Sequence, residues 1–125
     1  MRDIELEMKL QRSLNEGNNV WVIGDVHGFN HTLRSLVAKL DIRTGDYVVL
    51  LGDLIDRGPD SYDVIQFVKN SPNIATVKGN HEKMMAKVFS LSRLEKPDLR
   101  ISTWFYNGGL STATSYINAY TLSLI

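Results

Sequence analysis

Short aliphatic runs alternate with longer amphipathic stretches along most of the chain. Three runs have the apolar, β-branched character of buried strands, and each ends in glycine: residues 19–24, 47–52 and 74–79. Four stretches repeat their apolar residues at helical spacing: residues 3–15, 29–40, 60–69 and 80–94. This order predicts βαβ units, and therefore an α/β fold with a largely parallel sheet flanked by helices.

The composition is that of a chain that folds but has no strong net charge. Hydrophobic residues make up 43% of the 125 positions, which suits one domain with a core. Lys and Arg number 14, as do Asp and Glu, so the chain has no bulk attraction for nucleic acid or anionic membranes. Cysteine is absent, and neither a signal segment nor a run of about 18 apolar residues occurs. We therefore expect a cytoplasmic protein that binds neither nucleic acid nor membrane.

The last part of the chain, residues 101–125, contains no Asp, Glu, Lys or Arg. Because protein surfaces usually carry interspersed charge, we interpret this tail as a segment that packs against further protein. Without that protein we expect the tail to be exposed and to favour association. The single domain, residues 1–125, then divides into an N-terminal helix (1–18), a core that carries the candidate site (19–100) and the uncharged tail (101–125).

Each predicted strand is followed by a polar loop: GDVHG at 24–28, GDLIDRG at 52–58 and GNHE at 79–82. The carboxyl ends of parallel strands share one edge of a sheet, so these loops should converge. Together they supply carboxylates, an amide, imidazoles and a guanidinium: Asp25, His27, Asp53, Asp56, Arg57, Asn80 and His81. Oxygen and imidazole ligands suit divalent metals, and a guanidinium binds phosphate through two hydrogen bonds. We predict a metal centre that faces an anionic substrate.

Single residues of this set have simpler interpretations. A Gly-Asp pair after a strand is most often a turn, Asp25 or Asn80 would suit a helix N-cap, and a lone loop histidine is usually partly exposed. Three such loops after three consecutive strands favour a site. Outside the loops, we interpret His31 as a surface residue, and Trp21, Trp104 and Phe105 as packing residues.

The triple motif GDVHG…GDLIDRGP…GNHE resembles the metal-binding signature of the calcineurin-like metallophosphoesterases. Within that family it is most similar to the phosphoprotein phosphatase branch, which includes small bacterial and phage serine/threonine phosphatases. The resemblance covers residues 19–117, because WFYNGG at 104–109 and SY at 115–116 are similar to the stretch after the third motif in bacterial members. It implies a βαβαβ half-fold, the N-terminal part of a four-layer αββα sandwich.

The resemblance implies a metal-binding role for four of the loop residues. Asp25 and His27 would bind a first divalent ion, and Asp53 would bridge it to a second. Asn80 would bind the second ion and also contact the substrate. The family uses a metal-activated water as nucleophile, and Mn²⁺ is the usual ion in bacterial relatives.

The remaining three loop residues would act on the phosphoester. The resemblance implies that Arg57 holds the phosphate and that His81 is the general acid that protonates the leaving alkoxide. Asp56 would orient His81. A carboxylate beside a histidine favours the protonated imidazole, which agrees with this assignment.

The substrate class stays open between related activities. Symmetrical dinucleoside tetraphosphate hydrolases resemble this chain as well, but that branch tends to lack the acid at Asp56 and to carry Asp where Glu82 stands. We therefore favour a phosphatase acting on a phosphorylated protein or a small phosphoester. An ordinary nucleotide-binding βαβ domain is disfavoured, because no strand is followed by G-x-G-x-x-G or a Walker lysine loop.

The family fold is longer than this chain, and its second half contributes two further histidine ligands. The chain has three histidines, His27, His31 and His81, so only Asp53 and Asn80 remain for the second ion. We expect an incomplete second metal site. A further alternative is therefore a catalytically incompetent remnant that binds one metal or pairs with another chain.

Overall fold

The computed structural model describes residues 2–90 and 97–125, and its elements follow the predicted alternating order. In chain order they are α1 (Ile4–Asn15), β1 (Val20–Ile23), α2 (Asn30–Lys39), β2 (Tyr47–Leu50), α3 (Ser61–Lys69), β3 (Ile74–Thr76), α4 (Asn80–Phe89), α5 (Pro97–Trp104), a kinked π-helical turn (Phe105–Gly109) and α6 (Leu110–Ser123). No helix in these described ranges is both long and apolar enough to cross a bilayer.

The strands form one parallel sheet in the order β1-β2-β3, which confirms the predicted α/β class. In the register, Val48 lies between Trp21 on one side and Ile74 on the other. Because β2 is central, Val48 and Leu50 are both 0% exposed, which accounts for its uninterrupted aliphatic run. All three carboxyl ends lie at the same edge of the sheet, as the sequence predicts.

The hydrophobic core joins the sheet to the helices that cover it, and it also includes loop residues. Its members are Val26, Leu33, Val48, Leu50, Leu54, Ile55, Val64 and Ile74. Burying one such side chain contributes about 1.5–3 kcal/mol. Val26, Leu54 and Ile55 belong to the loops after β1 and β2, so burial in the core also anchors the loops that carry the candidate site.

Two predicted boundaries differ from the structure. Each strand is shorter than its aliphatic run, because the last residues of the run turn into the loops. The helix predicted over 80–94 ends at Phe89, where Ser90 N–H donates to Ala86 O at 2.8 Å; residues 91–94 lie outside the described part of the chain.

The uncharged tail is only partly exposed. This corrects the expectation that all of residues 101–125 would be exposed to solvent. Its outer face is open to solvent: Tyr106 is 91% and Leu122 is 70% exposed. Its inner face is buried, with Trp104 at 3% and Thr112 at 1% exposure. The reason is that α6 packs on α3, where the Tyr62 N–H donates to Ser115 Oγ at 3.1 Å.

Candidate active site

Backbone hydrogen bonds hold the loops after β1 and β2 together. His27 N–H donates to Asp53 O at 2.9 Å, and Gly28 N–H donates to Leu54 O at 2.8 Å. Gly58 N–H donates to His27 O at 2.9 Å. No side chain fits at residue 58, because a Cβ there would lie 2.1 Å from His27 O. The two loops therefore converge as predicted, through backbone contacts that hold His27 beside Asp53.

Glu82 joins the third loop to the second. Its Oε2 accepts hydrogen bonds from the N–H groups of Asp53 and Gly79, both at 2.8 Å, and its Oε1 accepts one from Leu54 N–H at 2.7 Å. Bonds to a charged acceptor are stronger than neutral ones. From the sequence, Glu82 was expected only to mark the phosphatase branch. The missed signal is its position, an acid three residues after a glycine at a helix start, where it can reach back to the loop.

The first two loops contain an unusual cluster of left-handed backbone conformations. Five non-glycine residues have φ between 44° and 72°: Asp25, His27, Asp53, Asp56 and Arg57. Such conformations cost of order 1–3 kcal/mol each, and they cluster at binding and active sites. All five were candidate site residues from their chemistry, and the backbone geometry gives independent support to that selection.

His81 and Asp56 form a buried pair at the start of α4. His81 Nδ1 lies 2.8 Å from Asp56 Oδ2, and the two side chains are 8% and 0% exposed. The His81 N–H donates to Asp53 Oδ1 at 2.9 Å. Because Nδ1 is bonded to Asp56, Nε2 is the ring nitrogen that remains for a ligand. The contact implied by the resemblance is present.

Two tail residues also bind Asp56, and neither was among the predicted site residues. Trp104, which its sequence position predicts to be a packing residue, donates its indole N–H to Asp56 Oδ2 at 2.9 Å. Thr112 Oγ1 donates to Asp56 Oδ1 at 2.7 Å. The available signal was the WFYNGG stretch, which begins at Trp104 and resembles bacterial family members.

Arg57 is exposed, and its backbone is held by the tail. Its N–H donates to Gly108 O at 3.0 Å, and its Nη1 lies 3.4 Å from His27 Nε2. His27 Nδ1 lies 2.8 Å from Ile55 O. A carbonyl can only accept, so Nδ1 carries the hydrogen and Nε2 carries the lone pair. The Nε2 lone pair therefore accepts from the Arg57 guanidinium, and a cation bound at Nε2 would take the place of this contact.

The predicted metal ligands are not all brought together. Within the described ranges, no group of three or more His, Asp or Glu side chains lies close enough to hold an ion. Asp25 and Asn80 are exposed, and Asp53 Oδ1 already accepts from His81 N–H. The donor chemistry nevertheless fits a divalent cation, because the predicted ligands offer carboxylate and amide oxygens and an imidazole. His27, whose Nδ1 is bonded to a backbone carbonyl, also has the tautomer that metal-ligating histidines have. The four-residue ligand set stays a prediction.

Comparisons with known proteins agree on one family. The calcineurin-like phosphoesterase family model matches residues 19–123. The chain is 42% identical over 72 residues to serine/threonine-protein phosphatase 2 of Escherichia coli K12, a match covering 57% of this chain and 33% of that protein. It is 40% identical over 86 residues to the symmetrical bis(5'-nucleosyl)-tetraphosphatase of Enterobacter sp. strain 638, covering 67% and 30% of the two chains.

The fold agrees as well. A crystal structure of a candidate diadenosine tetraphosphatase superposes with a TM-score of 0.51 at 30% identity, covering 68% of this chain and 40% of that one. The chain spans about a third of the length of the curated relatives, 33% and 30% in these two alignments. The family match includes all three loops and the tail residues that contact Asp56. This chain belongs to the calcineurin-like phosphoesterase family.

Proposed function

We propose that this chain is a metal-dependent phosphomonoester hydrolase of the serine/threonine phosphatase type, which uses a water activated by two metal ions. The observation that carries the proposal is the buried His81–Asp56 pair, with Nδ1 and Oδ2 2.8 Å apart, in the same loop cluster as Arg57. Asp56 holds the ring through Nδ1, so Nε2 is the atom that delivers a proton to the leaving alkoxide. Arg57 binds the phosphate oxygens through its exposed guanidinium.

Divalent cations belong to this proposal. Asp25, His27, Asp53 and Asn80 would hold them, with His27 binding through Nε2. Such cations lower the pKa of a bound water so that it becomes a nucleophile at neutral pH. Mn²⁺ is the ion we propose, because carboxylate, amide and imidazole ligands together suit it. The residues present supply fewer ligands for a second ion than for the first.

The second candidate function is hydrolysis of symmetrical dinucleoside tetraphosphates. The relatives bearing that name support it, with 40% identity over 86 residues in one case. Asp56 and Glu82 support the phosphatase instead. Glu82 accepts three backbone hydrogen bonds from the loops, and the resemblance associates Glu at this position with the phosphatase branch and Asp with the tetraphosphate hydrolases. A cytoplasmic location and a phosphoprotein or small phosphoester partner are parts of the proposal.

The test is Mn²⁺-dependent hydrolysis of p-nitrophenyl phosphate, a serine phosphopeptide and diadenosine tetraphosphate by the purified chain. We expect turnover of the two monoesters, and its loss in Asp53→Asn and His81→Ala. The matched controls are Asp63→Asn and His31→Ala, both at exposed helix positions. Preference for the tetraphosphate would select the second function.

A further possible result is that the chain binds metal but does not catalyse hydrolysis. A Mn²⁺ titration by calorimetry separates it: one site with no turnover identifies a metal-binding remnant. Activity indifferent to both the Asp53 and the His81 changes would remove the assignment altogether.

A further inference from the structure

The Asp56 carboxylate is enclosed by side-chain donors from three different helices. Its Oδ1 lies 2.7 Å from Thr112 Oγ1 and 3.1 Å from Trp104 Nε1. Its Oδ2 lies 2.9 Å from Trp104 Nε1 and 2.8 Å from His81 Nδ1. Asp56 is 0% exposed, so bulk solvent does not reach the carboxylate. The orientation of the carboxylate is therefore set by His81 together with two residues of the tail.

Thr112 fixes Asp56 at both its backbone and its side chain. Asp56 N–H donates to Thr112 Oγ1 at 2.8 Å, while the same hydroxyl donates to Asp56 Oδ1. Ser61 Oγ lies 3.0 Å from Thr112 Oγ1 and also accepts from Asp56 N–H at 3.1 Å. A valine at 112 would keep the shape and lose both bonds, whereas a serine would keep both.

Trp104 is itself held in place by packing. It is 3% exposed, and its ring lies edge-on to Phe89 with centroids 6.1 Å apart. Gly109 allows the backbone to approach the indole, because a Cβ there would lie 2.5 Å from Trp104 Nε1. The indole is therefore packed on both sides where its N–H meets Asp56, so burial as well as the hydrogen bond sets its position.

We propose that Trp104 and Thr112 are positioning residues that hold Asp56 in the orientation that serves His81. The predicted effect of these two residues on turnover rests on the proposed function. Within the described ranges, neither side chain is hydrogen-bonded to the Arg57 guanidinium or to a predicted metal ligand, so losing either should lower kcat and leave KM nearly unchanged. Residues that orient a catalytic group through hydrogen bonds typically contribute about 10–100-fold to activity.

The kinetic test compares Trp104→Phe and Thr112→Val with Thr112→Ser, using p-nitrophenyl phosphate and Mn²⁺. The matched controls are Trp21→Phe, whose indole nitrogen is buried without a hydrogen-bond partner in the described ranges, and Thr114→Val on the exposed side of α6. We expect kcat to fall about 10–100-fold in the first two variants and to be largely kept in the serine variant and the controls. Wild-type kcat in both folded variants, or equal losses in Thr112→Ser and Thr112→Val, would overturn the proposal.

A second measurement separates this inference from the proposed function. In nuclear magnetic resonance spectra of the wild-type chain, the Trp104 indole proton and the His81 Nδ1 proton should exchange slowly with solvent. Trp104→Phe and Thr112→Val should each make the His81 proton exchange fast, and Trp21→Phe should not. If the wild type has no turnover, the proposed function fails and this readout alone decides: an unchanged His81 proton in both variants refutes the positioning role.

Discussion

Glu82 Oε2 accepts a hydrogen bond from Asp53 N–H at 2.8 Å, which links residues 29 positions apart in the sequence. The bond connects the first turn of α4 to the loop after β2. The same carboxylate binds the N–H groups of Leu54 and Gly79. One side chain thus holds two of the three loops at the candidate active site.

Replacing this carboxylate should weaken the whole fold. In Glu82→Gln one oxygen remains an acceptor, but the other becomes an NH₂ group that faces backbone N–H donors. We expect the free energy of unfolding to fall by about 1–3 kcal/mol. Urea denaturation measures it, with Glu16→Gln as the control because Glu16 is exposed after α1. Equal midpoints for the two variants would contradict the proposed role of Glu82.

Gly108 should not tolerate alanine. It has φ of 101°, and a Cβ there would lie 2.7 Å from Arg57 Cγ and 2.9 Å from Arg57 N. Gly108→Ala should therefore cost about 1–3 kcal/mol through backbone strain, and more if Arg57 must move. Gly24→Ala is the matched control, since its Cβ would have no neighbour within 4 Å and its φ is not positive. Thermal melts of both variants give the comparison, and an unchanged melt for Gly108→Ala would refute the close contact.

Two neighbouring leucines should respond differently to truncation. Leu50 is 0% exposed in the centre of the sheet, whereas Leu51 is 53% exposed. Leu50→Ala leaves a cavity and should cost about 2–5 kcal/mol. Leu51→Ala should change stability by less than about 0.5 kcal/mol. Chemical denaturation distinguishes them, and similar losses at both positions would place β2 in a different register.

Asp46 should make stability depend on acid pH. The carboxylate accepts from Asn19 N–H at 2.8 Å and from Arg43 N–H at 3.0 Å, and these bonds, the Asn19 bond foremost, hold the pKa of Asp46 below its usual value. Because the pKa of Asp46 is lower in the folded state than in the unfolded state, the ionised carboxylate stabilises the fold at pH values above the unfolded-state pKa of about 3.9. This contribution is lost as the pH falls through the folded-state pKa.

The corresponding measurement is the urea midpoint between about pH 5 and pH 2. The wild type should lose stability more steeply than Asp46→Asn across this window. Parallel curves for wild type and Asp46→Asn would show that the two backbone bonds contribute no acid dependence.

The sequence by itself determined the parts of this protein that depend on local patterns. Short aliphatic runs such as 47–52 alternate with longer stretches that have helical periodicity, and this alternation predicts βαβ units. Parallel strands and a shared edge of the sheet follow from that arrangement. The residues of the three loops were also readable, because their chemistry is concentrated directly after glycine-terminated strands. Hydrogen bonding between His81 and Asp56 was expected from the resemblance alone.

Only the tertiary structure decided how the tail takes part in the site. Trp104 and Thr112 contact Asp56 across 48 and 56 positions, and nothing in a local pattern fixes which face of an uncharged helix meets a distant carboxylate. Those contacts depend on the packing of α6 against α3 and on Gly108 and Gly109, which let the backbone come close to Arg57 and Trp104. Sequence pattern sets which residues can be buried, and three-dimensional packing sets which buried polar groups meet.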